Sequence, residues 1–302
     1  IVAFITLTVG FSGWHGVRRV GRYLQAVHQK MSLVQNLLEV DNSIQRAKVV
    51  QRTLMNPNLD AEQHKRQYEN ATKALDEYHK ALEVSRSFSR TESEQAQWDK
   101  FVNTLNEWNA ENDHFLVLAK ALDAEGLGNP LVLAKSVELF RGDHYQAATK
   151  VCGLLLTGDQ FEGGADPTKC NFGKWMATTQ LSNQELQKVL EEIKPHHDAF
   201  HRAVGQIKEL KSKDNAAEAS AVYTKEMMPS MQEVFKDFET IRTIIARSVD
   251  LYGQMNEQSM VKSRDKELAA VSLLGGITES GRVEADREST DAAKSARQTG
   301  VL

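Results

Sequence analysis

The sequence predicts an all-α protein: an elongated antiparallel four-helix bundle interrupted by an inserted helical segment. Apolar residues recur at steps of three and four in four separate stretches, the rhythm of narrow seams that bury against one another. Only 7% of residues are aromatic and 5 of 302 are proline, which speaks against a β-rich fold, while the 26% charged residues suit long exposed helix faces. Three of the seams precede residue 123 and the fourth follows residue 216, so the segment between them reads as an insertion.

The first 17 residues, "IVAFITLTVGFSGWHGV", hold no Asp, Glu, Lys or Arg. A span takes about 17–25 apolar residues, so residues 1–17 are expected to form a short transmembrane helix, with Trp14 at the interface and Arg18, Arg19 and Arg22 just beyond. An uncleaved signal sequence or a buried first helix is the alternative. Residues 18–124 then supply three bundle helices. Val27, Met31, Val34 and Leu38 mark the first, which runs to "LMNPNLD", where Pro57 makes a turn. Asp60 with Gln63 resembles a capping box opening the second, whose stripe is Tyr68, Ala71, Leu75, Tyr78 and Leu82. Trp98, Phe101, Leu105 and Trp108 mark the third. The loop "DAEGLGNP" begins the insertion, 125–214. Residues 215–265 are expected to be the fourth bundle helix, striped by Met231, Val234, Phe238, Ile241 and Ile245 and shared with the inserted module. In the polar end, 266–302, "ELAAVSLLGGI" is too short to span a membrane, and the rest reads as a solvated helix or a disordered tail.

Several function classes drop out. The net charge is −4 and no Lys/Arg run makes a basic patch, so nucleic acid is not an expected partner. Two cysteines are too few for a disulfide framework. There is no Gly-rich phosphate loop, no His-Glu-x-x-His and no Gly-x-Ser-x-Gly, and "EGLG" and "FEGG" read as plain loop glycines. Glu191 and Glu192 read as a solvated helix face, and no enzyme is expected.

Chemistry concentrates inside the insertion. A helix over "NPLVLAKSVELFRGDHYQAATKVCGLLLTGD" bears His144 and Cys152. A loop leads to Cys170, and a longer helix with a Ser182–Glu185 capping box carries Pro195, His196, His197 and His201. His197 and His201 are four apart, so a helix puts both imidazoles on one face, while His196 points about 100° away. Cys170 offers a thiolate and His144 a third imidazole. Cys152 lies about 12 Å along the axis from His144 and reads as a small buried apolar residue. A chance cluster without metal, or a Cys152–Cys170 disulfide, are the competing readings.

At these residues the segment 135–240 resembles the chemoreceptor zinc-binding domain. The matches are an early His (His144), the Cys-x-(Leu/Phe)-Gly-x-Trp motif as "CNFGKW" (Cys170, Phe172, Gly173, Trp175) and a His-x3-His as "HDAFH" (His197, His201). The resemblance implies a small helical bundle holding one Zn2+ through three His and one Cys. Gly173 is expected to permit close helix approach beside the cysteine, and Trp175 to seal the site. The flanking seams, and "DNAAEASAVYTKEMMPSMQEVFKDFETIRTII" in particular, resemble the four-helix-bundle sensor of methyl-accepting chemotaxis receptors. That resemblance implies a homodimer in the cell inner membrane with its sensor on the periplasmic side. It also implies a cytoplasmic kinase signalling complex reached through a signalling domain that is not visible here. The expected function is a sensory input region that transmits metal or thiol state to the bundle helices. The alternative is a bundle that recognises an organic anion, through Arg46 or Arg52, with a purely structural zinc.

Overall fold

A computed structural model describes residues 2–298, with the side chains of residues 10–297 apart from residue 12. It is helical throughout, and no strand occurs among the described residues. The chain divides into two compact units. Residues up to 55, 61–116 and from 256 onward form the first; 56–60 and 117–255 form the second.

In the first unit, helix α1 (Val2–Leu54) packs along α2 (Ala61–Arg86) and along α9 (Arg264–Gln298), with residues 92–116 of α3 (Glu92–Ala124) completing the bundle. The core joins Leu33, Leu37, Val40 and Ile44 of α1 to Tyr78 and Leu82 of α2, Trp98, Phe101, Leu105 and Trp108 of α3, and Ala270 and Leu274 of α9. The start of α3 is a reciprocal capping box. The Thr91 N–H donates to Glu94 Oε2 at 2.6 Å, and the Glu94 N–H donates to Thr91 Oγ1 at 3.3 Å.

Two expectations are corrected in this unit, and a third falls largely outside the described residues. The α1 seam is not Val27, Met31, Val34 and Leu38: Val34 is buried, but Met31 and Leu38 are 44% and 51% exposed, and the buried line runs through Leu33, Leu37, Val40 and Ile44. Two apolar stripes overlap on this helix, and periodicity does not say which one meets the bundle. The fourth bundle helix is α9, not 215–265. The polar end is helical to Gln298, and its small residues let it lie close, with the Cβ that Gly281 lacks falling 3.2 Å from Val34 Cγ2. Finally, the expected span 1–17 falls largely on residues whose side chains lie outside the described set, and among the described residues no helix is long and apolar enough to cross a membrane.

The second unit contains α4 (Pro130–Leu156), α5 (Asn171–Thr178), α6 (Gln184–Ser212), α7 (Ala216–Val222) and α8 (Met228–Glu257). Asn129 caps α4 through the N–H groups of Leu131 and Val132, with Pro130 at the first turn. Asn183 caps α6, accepting from the Leu186 N–H at 2.7 Å, so the cap is one residue later than the expected Ser182 box, and Glu185 pairs with Arg247 instead. Between α7 and α8 the helix opens into a wide i→i+5 turn, Tyr223–Met227, which ends two residues ahead of Pro229. A second wide turn, Gln258–Ser263, joins α8 to α9. Two core clusters fill the unit. One gathers Phe140, Phe172, Ile193 and Phe238; the other gathers Ala148, Phe200, Val204 and Met231.

Candidate metal centre

Four side chains from three helical segments meet between those two clusters. His144 lies on α4, Cys170 is the residue that caps α5, and His197 and His201 lie one turn apart on α6. One donor atom from each lies within 4.8 Å of all the others. Cys170 Sγ is 3.2 Å from His197 Nε2, which is 3.1 Å from His201 Nε2. All three imidazoles are buried and Cys170 is half-buried.

Local backbone explains how each group is aimed. His144 Nδ1 lies 2.6 Å from the Phe140 carbonyl one turn earlier, and a carbonyl only accepts, so Nδ1 carries the proton. Its Nε2 lone pair is left buried with no protein partner, pointing into the cluster. His201 is oriented the same way, Nδ1 donating to the Gly164 carbonyl at 2.7 Å. That carbonyl is presented by consecutive left-handed glycines, Gly163 (φ 77°) and Gly164 (φ 83°), a backbone that a side chain would strain. The loop "FEGG" therefore orients a ligand, a role the sequence reading did not assign, and the paired glycines were its only visible signal.

Cys170 is placed by a turn. Asp166 Oδ1 accepts from the Thr168 N–H at 2.9 Å and its hydroxyl at 2.6 Å, curling "DPTKC" so that Pro167 lies over the head of α5. A Cβ on Gly173 would fall 1.9 Å from the Pro167 oxygen. Gly173 is thus required by the preceding loop, not by a neighbouring helix as expected. Its N–H donates to Cys170 Sγ at 3.1 Å. Trp175 is half-buried and stacks behind Phe172 and Phe140, at 5.9 and 5.5 Å between ring centroids. Phe172, the unassigned residue of the motif, touches the site itself: it is fully buried, with its ring edge-on to His197 at 5.1 Å. Phe200 and Phe238 close the other sides of His144, at 5.4 and 5.6 Å.

This apolar wall sets the protonation state. Burial pushes His144 down to about 4 and His197 down to about 3, with the neighbouring imidazoles adding to the shift at His197. Burial also lowers His201 and raises the Cys170 thiol, the latter partly offset by the Gly173 N–H. Without a cation the cluster is therefore three neutral imidazoles and a thiol. A three-nitrogen, one-sulfur set is borderline-soft and suits Zn2+, whose tetrahedral bonds of about 2.1 Å to nitrogen and 2.3 Å to sulfur separate donors by roughly 3.4–3.6 Å. The donor separations, from 3.1 Å between the α6 imidazoles to no more than 4.8 Å, bracket that spacing.

Residues set aside by the sequence fall elsewhere. His196 lies outside the cluster. Cys152 Sγ is 3.1 Å from Tyr223 Oη, and both cysteines are free thiols. Arg46 of the first unit is engaged by Glu77 and Glu39.

Comparison with known families gives two matches. Residues 144–208 match the chemoreceptor zinc-binding domain, and residues 1–150 match a four helix bundle sensory module for signal transduction. No match was found among curated proteins or among solved structures.

Proposed function

Because the chain carries a chemoreceptor zinc-binding domain together with the four-helix-bundle sensory module of chemotaxis receptors, we propose that it is a sensory input region in which occupancy of a Zn2+ site sets the position of the bundle helices. The observation that carries the reading is the convergence of His144, Cys170, His197 and His201, each aimed by a carbonyl, a helix head or a helix register at one point. Zinc bound there would supply one bond to each of the four donors and keep the Cys170 thiol deprotonated. Four protein ligands leave no open position, so the reading assigns no catalysis.

The chain's own residues then make the switch. His144 and Cys170 tie α4 and the head of α5 to α6. When either gives up its bond, its own segment is no longer tied to α6 through the metal. A short turn carries α6 into α7, whose Ala219 is buried in the same cluster as Phe200 and Val204. The wide turn Tyr223–Met227 follows, then α8, the second wide turn and α9. Both wide turns are places where a helix changes register at low cost, and displacements of about 1–2 Å are the usual currency of such switching.

An exposed stripe supports a homodimer. Val17, Leu24, Met31 and Leu38 recur every seven residues on α1 and are all exposed, the spacing of a coiled-coil seam. A receptor signalling complex is the expected destination of the output, and the uncharged segment 1–17 is the part of the chain proposed to meet a membrane.

Elemental analysis of the purified chain beside Cys170→Ala tests the first step. One zinc per chain is expected, with a clear fall in the variant and none in His196→Ala. Equal zinc in the chain and in Cys170→Ala would remove the cysteine from the site and this mechanism with it.

A further inference from the structure

A cleft of about 210 Å³ opens onto the metal centre from one side. Its floor includes Cys170, His144 and His201 but not His197, which is fully buried. Its walls carry two ammonium groups, Lys150 and Lys169, and two carboxylates, Asp143 and Glu162. Pockets for drug-sized ligands run to about 300–1,000 Å³, so this one is the size of a metabolite no larger than an amino acid. A wall of both signs suits a molecule that is itself a zwitterion, and a floor of metal ligands suits one that binds zinc.

We infer that this cleft is a ligand-exchange port, through which a free α-amino acid with a zinc-binding side chain, cysteine above all, draws the metal from the site. This rests on the zinc reading above and names what acts on it. Lys150 and Lys169 receive the amino acid's carboxylate, and Asp143 and Glu162 its ammonium group. Its side chain is thereby presented to the floor. With zinc bound, the incoming thiol would lose its proton as its sulfur took the place of the Cys170 sulfur, and Cys170 would take up that proton, so charge and atoms balance. Water entering by the cleft would then replace His144 and His201, which line it, and His197, which does not, would be replaced last. Cys170 is suited to be first: it is the half-buried ligand.

The test uses the full chain loaded with zinc, its metal content measured first. A chain that holds no zinc would overturn the preceding reading, whereas the port is judged only on a loaded chain. Zinc release is followed with a colorimetric indicator under increasing L-cysteine, cysteamine or 3-mercaptopropionate. The last two each lack one of the charges. The release rate should rise in proportion to cysteine concentration, and cysteine should act about two- to fivefold faster than either analogue, the worth of one partly exposed ion pair. Lys150→Glu should slow release by cysteine about tenfold without changing zinc content. Gln146→Trp, an exposed lining position, should obstruct all three thiols alike. A rate independent of thiol concentration, equal rates for the three thiols, or unchanged rates in both variants would each overturn the port.

Discussion

At the residue scale, each ligand's fitness depends on one neighbour and on burial. The Phe140 and Gly164 carbonyls fix the Nδ1–H form of His144 and His201, leaving Nε2 to face inward. Burial keeps the imidazoles neutral, and this has a consequence for stability. In the unfolded chain a histidine binds its proton near pH 6.5, whereas His144 and His197 in the fold resist it down to about 4 and about 3. The unfolded state therefore binds more protons in that window, and stability falls as pH falls. Zinc-free protein should hold its full stability above pH 6.5 and lose it progressively between pH 6.5 and about 4 for His144, and down to about 3 for His197. Denaturant midpoints of chelator-treated protein at neutral and mildly acid pH measure this; a constant midpoint would contradict the burial argument. Spacing alone identified His197 and His201, because four residues on a helix share a face. Phe172 and the "FEGG" glycines were not legible, since an apolar residue or a loop glycine acquires its role only from what packs beside it.

At the element scale, α5 shows how little room the motif leaves. Eight residues long, it is headed by Cys170 and pressed against the Pro167 carbonyl at Gly173. Gly173→Ala would force the loop backbone away from the helix and should destabilise the second unit by about 1–3 kcal/mol, as overpacking does. Zinc affinity should fall with it, because the same shift moves Sγ. A thermal melt and a zinc titration of the variant both report it, and an unchanged melt would mean the loop yields freely. Elements with bulky stripes were placed well from sequence: every stripe residue named on α3 is buried, and so is each one on α8. On α1 the stripe was out of phase, because a helix with two apolar lines satisfies the same periodicity twice. Ser182 and Asn183 both make good caps, and only the position of the Leu186 N–H chooses between them.

For the whole molecule, two units with separate cores imply separate responses. On the proposed reading zinc binds only the folded second unit, so chelation should lower one thermal transition and leave the other in place. The shift corresponds to about 4 kcal/mol when free zinc exceeds Kd by about a thousandfold. Calorimetry with and without chelator decides this, and a single transition moving as one would show the units to be coupled. The exposed α1 stripe makes a second prediction. Leu24→Asp with Met31→Asp should leave the fold intact and yield monomers in analytical ultracentrifugation, whereas a dimer surviving both changes would place its interface elsewhere.

The sequence by itself determined the helical class and the shared face of His197 and His201, because periodicity and i, i+4 spacing are local and are written along the chain; the set of four candidate ligands came with the family resemblance that the motif order carries. It did not determine which helix completes the bundle. The apolar stripe of 231–245 looked like a bundle seam, and α9, with Ala and Gly where larger residues were expected, looked like a tail. Only the tertiary structure assigned α8 to the zinc unit and α9 to the sensor bundle. The reason is physical: a small residue buries little by its own hydrophobicity, and it becomes core only where a neighbouring helix comes close enough to need it.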